Sequence, residues 1–354
     1  MFSAFFTSMT DISHLSSYPA RWWTRSKGRI QCVLCPRQCV LKDGERGFCF
    51  VRRNVNGALR TFNGVFSSIA VDPIEKKPLY HFFPGSKTLS LGTIGCNLGC
   101  VFCQNWFISR PDNEGLLRYT MTPQEICACA AKEQCLSVAF TYNEPIVTAE
   151  QVIDIAKVCH ENDIRTIAVT AGYIQAEARK EFFQHIDAVN IDLKSFSRSF
   201  YQKVCHASLA PVLDMILYLK DKTKTWMEIT NLLISGHNDS DEEIEAMSRW
   251  IVKNLGVHVP LHFSALHPDY HLLTAKETSK CVLLRARDIA LRAGMRYVYT
   301  GNVIDLEGTR TFCCNCGKVL IERNGYNIKA ANILEHRCRF CKTICLGHFR
   351  TEVL

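Results

Sequence analysis

Residues 96–103 read Cys-Asn-Leu-Gly-Cys-Val-Phe-Cys, three cysteines spaced C-x3-C-x2-C. Thiolates at that spacing can ligate three irons of a [4Fe–4S] cluster and leave the fourth iron without a protein ligand. An open iron is a place for chemistry, whereas a fully capped cluster only passes electrons. The surroundings agree. Leu89-Ser90-Leu91-Gly92-Thr93-Ile94 predicts a strand ending in small residues, and Gly95 and Gly99 let the backbone wrap closely around a bound group. Phe102, inside the last C-x2-C, can shield a cluster and offer a stacking face. The competing readings of Cys96, Cys100 and Cys103 are zinc ligation and buried thiols.

Nineteen cysteines in 354 residues make the compartment informative. The first thirty residues show no long apolar run and no small-residue cleavage site, so no export signal is expected. A cytoplasmic, reducing setting follows, where cysteines serve as metal ligands or buried thiols rather than disulfides. No stretch of eighteen apolar residues predicts a membrane helix. The net charge of +8 is compatible with RNA, but no RNA-binding motif supports that partner, and a solvated basic surface is the plainer reading. Cys127, Cys129, Cys135, Cys159, Cys205 and Cys281 are scattered and are expected to be small buried hydrophobes.

The chain divides into an N-terminal cysteine-rich segment (1–85), a central βα part (86–305) and a C-terminal module with paired cysteines (306–354). Strand-like runs in the centre are 88–94, 137–141, 166–170, 188–193, 225–234, 259–263 and 297–300. Between most of them lie helical stretches, including 123–135, 149–162 and 175–185. Thr122-Pro123-Gln124-Glu125 predicts a helix start, with Thr at the N-cap and Pro at N1. Such alternation implies an α/β fold with parallel strands, as a partial or full (β/α) barrel; a doubly wound sheet is the alternative. The unusual residues follow the strands. Cys96 comes after the first, Asn143-Glu144-Pro145 after the second, Gly172-Tyr173 after the third. Asp192 and Lys194 end the fourth, and His262 lies in a later one.

The C-x3-C-x-aromatic-C string resembles the radical SAM superfamily. Cys32–Cys49, Asp72-Pro73-Ile74-Glu75-Lys76-Lys77-Pro78-Leu79-Tyr80-His81-Phe82, Cys103-Gln104-Asn105-Trp106, Thr141–Pro145 and Val298-Tyr299-Thr300-Gly301-Asn302 extend the likeness. Together they resemble the AmmeMemoRadiSam-system radical SAM enzymes, relatives of pyruvate formate-lyase activating enzyme, over roughly residues 30–350. The resemblance implies a radical SAM barrel, a [4Fe–4S] cluster on Cys96, Cys100 and Cys103, and S-adenosylmethionine (SAM) at the open iron. It implies that Phe102 lines the adenine side and that Asn143, Glu144, Asp192, Lys194 and His262 position SAM. Plainer readings stay open: a loop acid for Glu144, solvated strand-end charges for Asp192 and Lys194, a core histidine for His262. His267 and His271 are expected on the surface or in loops.

The implied reaction is reductive cleavage of SAM to a 5′-deoxyadenosyl radical that takes hydrogen from a protein or other macromolecule, as glycyl-radical activases do. RNA or a small molecule is the alternative substrate. A flavodoxin or ferredoxin donor and Memo-like and AMMECR-type partners are implied by the same analogy. Two departures stand out. Val169-Thr170-Ala171-Gly172 replaces the Asp-Thr-Asn-Gly frequent in such activases, which puts their monovalent-cation site in doubt. Ile234-Ser235-Gly236 replaces Ile-Pro-Gly.

Two further cysteine groups lie at the chain's ends. Cys313-x2-Cys316 and Cys338-x2-Cys341 bracket a β-rich segment, the pattern of a zinc ribbon; an iron site and free thiols are the alternatives. Cys314 and Cys345 are read as bystanders. Cys32, Cys35, Cys39 and Cys49 fit a four-ligand metal site, either a zinc clasp or an auxiliary iron–sulfur cluster. Outside the enzyme class, the competing reading of the whole chain is a non-catalytic metal-binding scaffold.

Overall fold

The structure is a computed structural model and describes residues 17–350 apart from Lys27, Asp112 and Asn113. The reading of the first thirty residues therefore falls largely outside the described residues. The chain separates into two units. One comprises Met1–Asp72, Lys87–Asp187 and Ala210–Thr225, and the other Pro73–Ser86, Ala188–Leu209 and Trp226–Leu354.

In the first unit, strands β1 (Lys87–Gly92), β2 (Ser137–Phe140) and β3 (Arg165–Thr170) lie parallel, with Ala139 of β2 facing Ser90 on one side and Ile167 on the other. Every residue of β2 is buried, as expected of a parallel strand covered on both faces. Helices α1 (Pro123–Lys132), α2 (Ala149–Glu161) and α3 (Ala176–Phe183) alternate with the strands. Helix α1 starts where its sequence predicts. Thr122 Oγ1 accepts from Glu125 N at 3.2 Å, and Glu125 Oε2 accepts from Thr122 N at 2.8 Å, closing a capping box behind Pro123.

The N-terminal cysteines sit among two small antiparallel sheets. One contains Trp23–Ser26, Arg29–Cys32 and Val40–Leu41; the other contains Tyr18–Pro19, Arg53–Val55 and Ala58–Thr61. Arg52 ties this segment to α2. Its guanidinium pairs with Glu150 and donates to Arg21 O at 2.9 Å and Val147 O at 3.3 Å. Both ion-pair partners are buried, so loss of either strands a charge.

In the second unit, β4 (Ala188–Asp192), β5 (Trp226–Leu233), β6 (Leu261–Ala265) and β7 (Val298–Gly301) are parallel. Register aligns Asn190 with Glu228, and Asp192 with Thr230, His262 and Tyr299. Because side chains alternate along a strand, those residues share one polar face. Ile191, Ile229, Leu261 and Phe263 occupy the other, fully buried. Helix α4 (Asp241–Leu255) packs on α5 (Lys280–Arg292), and α5 packs on β6 and β7.

The segment Pro73–Ser86 lies on the polar face. Asn190 Nδ2 donates to Pro78 O at 2.8 Å, and Glu228 accepts from the amides of Tyr80 and His81 at 3.0 and 2.8 Å. The C-terminal module of this unit is a three-stranded antiparallel sheet of β8 (Thr311–Phe312), β9 (Val319–Asn324) and β10 (Asn327–Ala331). Arg323 of β9 is buried. It donates to Tyr80 O at 2.8 Å and Thr311 Oγ1 at 2.9 Å, and lies 3.6 Å from Glu75. Among the described residues no helix is long and apolar enough to cross a membrane.

Candidate functional site

The loop carrying Cys96, Cys100 and Cys103 leaves the C-terminal end of β1. Its entry is braced by Asn143. Asn143 Oδ1 accepts from Thr93 N at 2.9 Å, and Nδ2 donates to Thr93 Oγ1 and Gly95 O, each at 2.9 Å. The whole amide is thus engaged in shaping the loop. Gly95 has φ +84°, and a Cβ there would sit 2.1 Å from Cys49 O, so the position admits no side chain. Inside the loop, Leu98 N donates to Cys96 Sγ at 3.3 Å, and Arg110 Nη2 donates to Leu98 O at 2.8 Å.

Glu144 is buried and held on three sides. Its carboxylate accepts from Thr170 Oγ1 at 2.5 Å, Ala171 N at 2.8 Å and Ile146 N at 3.2 Å. The Thr170-Ala171 pair at the end of β3 therefore positions the acid that follows β2. Burial pushes the Cys96 thiol well above its usual range, and the charges of Glu144 and Cys100 push it the same way. Three soft thiols gathered beside an anchored carboxylate suit a positively charged iron centre, which would relieve that repulsion and hold the thiolates. The residues present thus fit a [4Fe–4S] cluster. Phe102 is buried within this loop, while Trp106 and Phe107, just beyond it, are 39% and 48% exposed.

Asp192, Lys194 and His262 belong to the second unit. Lys194 Nζ pairs with Asp192 Oδ2 at 2.9 Å, so each already neutralises the other. His262 is buried, and its Nε2 lies 2.7 Å from Glu228 Oε2. Burial alone would raise the Glu228 carboxyl. The hydrogen bond and charge of His262, the charge of His81 and the Tyr80 amide outweigh it and hold the group below the usual carboxylate range. His262 also borders a cavity of about 360 Å³ whose wall includes Glu75, Tyr80, Thr230, Ser264 and Asn302. Glu75 Oε2 and Thr230 Oγ1 are buried there without a hydrogen-bond partner.

Glu228, Thr230 and Glu75 were not singled out by sequence reasoning. The available signal was the alternation Glu-x-Thr inside Trp226–Leu233, which places polar groups on one face of a buried strand.

At the C-terminus, the sulfurs of Cys313, Cys316, Cys338 and Cys341 all lie within 4.8 Å of one another. Two pairs measure 3.5 Å (Cys313–Cys341) and 3.8 Å (Cys316–Cys338). At a Zn–S distance of about 2.3 Å, the corners of a tetrahedron stand about 3.8 Å apart. The four thiols therefore fit one metal ion. Cys341 Sγ lies 3.3 Å from Thr343 Oγ1, a contact that draws this thiol below its usual range, while burial pushes the Cys313 thiol up.

Residues 91–251 match the model of the Radical SAM superfamily. The chain is also 42% identical over 316 residues to the uncharacterized protein MJ0808 of Methanocaldococcus jannaschii, spanning 88% of this chain and 94% of that protein. This chain belongs to the radical SAM superfamily. Its radical SAM segment includes Cys96, Glu144, Asp192 and Lys194 and ends before His262. A pyruvate formate-lyase-activating enzyme from Clostridium pasteurianum is a more distant homologue, 26% identical over 180 residues, or 49% of this chain and 71% of that enzyme. Among solved structures, a radical SAM methyltransferase from Sphaerobacter thermophilus is similar at 17% identity and a TM-score of 0.49, covering 67% of this chain and 71% of that one.

Proposed function

We propose that this radical SAM protein is a cytoplasmic enzyme that reductively cleaves SAM and takes hydrogen from a protein or other macromolecular substrate, in the manner of a glycyl-radical activase. When bound, the cluster and SAM supply a 5′-deoxyadenosyl radical; the chain supplies positioning and exclusion of water. The observation that carries the reading is the three-cysteine loop after β1, within the segment that matches the radical SAM superfamily, together with a buried Glu144 carboxylate anchored by Thr170 and Ala171.

Cys96, Cys100 and Cys103 would hold three irons. Glu144, fixed by Thr170 and Ala171, would accept the ammonium of SAM. Asn143 would act indirectly, by fixing the loop. Asp192 and Lys194 would meet the charged methionyl end, and His262 would border the substrate side. Exposed Trp106 and Phe107 beside the cysteine loop favour a macromolecular substrate, since exposed aromatics of this kind suit a docking partner. Assignment to the AmmeMemoRadiSam system, with Memo-like and AMMECR-type partners and a flavodoxin or ferredoxin donor, rests on the motif strings. The C-terminal thiols would hold a structural zinc.

The test is anaerobic incubation of reconstituted protein with dithionite and SAM. The reading requires release of 5′-deoxyadenosine, abolished in Cys100→Ala and reduced at least tenfold in Glu144→Gln. Deuterium from a labelled substrate protein should appear in that product. Persistent absence of 5′-deoxyadenosine from iron-replete protein would remove the reading.

A further inference from the structure

We propose that the cavity bordered by His262 in the second unit binds an uncharged peptide segment, which donates a backbone N–H to His262 Nδ1 and lays an apolar side chain on Ile304 and Tyr326. This rests on the reading that a protein is the substrate. The cavity measures about 360 Å³, within the range of small-ligand sites. Ser264 of β6 and Gly301 of β7 reach its wall at or next to the C-terminal ends of their strands, where parallel α/β sheets bind ligands.

The residues of the wall offer acceptors. His262 is fixed on three sides. Tyr299 stacks on its ring with centroids 5.0 Å apart, Tyr80 meets it edge to face at 4.8 Å, and Nε2 lies 2.7 Å from Glu228 Oε2. In the neutral ring the carboxylate takes Nε2–H, and Nδ1 keeps an unshared lone pair for a ligand. Glu75 and Thr230, on the same wall, each keep a buried oxygen with no hydrogen-bond partner among the described residues. A buried acceptor without a donor is costly, so a ligand that brings N–H groups gains most here.

Charge selects a neutral donor. Arg323 Nε lies 3.6 Å from Glu75 Oε1, Lys76 also lines the cavity, and Glu228 is already matched by His262. A cationic ligand would meet Arg323 and Lys76 with no unmatched acid to balance it. An anion, such as an RNA phosphate, would meet the acceptor oxygens of Glu75. A peptide amide avoids both. Ile304 and Tyr326 line the same cavity and are 91% and 44% exposed, so its wall reaches solvent through apolar groups. Polar acceptors beside an apolar edge match a backbone N–H followed by a hydrophobic side chain.

The test is methyl NMR of full-length, SAM-free protein at about pH 8, where an ordinary imidazole is neutral, following the Ile304 δ1 methyl, assigned through Ile304→Leu. N-acetylglycyl-leucinamide should shift this signal saturably, with a Kd of roughly 1 mM for a ligand of that size. The analogue methylated on both backbone amide nitrogens should bind at least about fivefold more weakly, the loss of one net hydrogen bond. Glycyl-leucinamide, which carries an ammonium, should also bind more weakly, and the trinucleotide UUU should leave the signal in place. His262→Phe keeps a ring between the two tyrosines and removes Nδ1, and should bind the acetylated peptide no better than wild type binds the methylated one. The ligand series on wild type is readable even if that variant misfolds. Absence of a saturable shift, equal affinity for the methylated or ammonium form, undiminished binding to a folded His262→Phe, or a saturable shift with UUU would overturn the proposal. Release of 5′-deoxyadenosine is measured separately, so a cavity that rejects peptide would leave SAM cleavage standing.

Discussion

Glu228 and His262, on neighbouring strands of the second unit, meet at 2.7 Å on the face over which the segment Pro73–Ser86 is laid. Glu228 Oε1 also accepts from Trp226 Nε1 at 3.1 Å, and the carboxylate receives the amides of Tyr80 and His81. One acid therefore fixes both a strand face and the segment laid across it. Glu228→Ala should lower unfolding free energy by about 3–5 kcal/mol, because it strands several buried donors at once. Glu228→Gln, which keeps acceptor capacity, should cost less. Urea unfolding under anaerobic conditions reads both; equal stability of all three proteins would contradict this role.

His81 gives a pH dependence. Burial holds its imidazole down at about 4, against the pull of Glu228. The unfolded chain takes up this proton near the ordinary histidine value of about 6.5 and the folded chain does not, so folding excludes a proton between those limits. The stability is complete above about 6.5 and is lost as pH falls toward 4, by about 3 kcal/mol in all. Melting temperature measured across that range should fall. In His81→Gln the fall should be shallower.

Asn143 offers a test of the loop. Asn143→Ala removes the bonds to Thr93 and Gly95 and should cost about 2 kcal/mol of stability. More telling, it should reconstitute with less iron at Cys96, Cys100 and Cys103 while retaining native circular dichroism. Full iron loading in this variant would show that the loop is shaped without the amide.

The alternation of apolar runs was enough to place β1 to β7 within about two residues, because buried parallel strands leave continuous hydrophobic stretches. Thr122-Pro123-Gln124-Glu125 marked the start of α1 through local chemistry alone. The Glu228–His262 pair was not legible, since it depends on register between strands more than thirty residues apart. Nor was the position of Arg323, whose partners Glu75 and Tyr80 lie some 240 residues earlier. The Asn143 motif is visible in the sequence, whereas its bonds to Thr93 and Gly95 depend on how the loop folds back fifty residues away. Glu144 was legible as an acid after β2, while its anchors on Thr170 and Ala171 were not.

The C-terminal thiols predict a metal stoichiometry. Cys338→Ser should lose one zinc per chain relative to wild type, with iron content unchanged, and should lower the melting temperature. The reason is that a tetrathiolate ion stabilises the fold by its binding free energy. Elemental analysis and a thermal melt on the same sample check both halves.

The central claim is an iron left open by Cys96, Cys100 and Cys103 and addressed by SAM beside Glu144. Pulsed electron–nuclear double resonance on the singly reduced protein, with SAM labelled with ¹⁵N at the methionyl amine, tests it directly. The account predicts a ¹⁵N coupling to the cluster in wild type and none in the Cys96→Ala/Cys100→Ala/Cys103→Ala variant. A fully reconstituted wild-type protein that shows no nitrogen coupling at saturating SAM would contradict it.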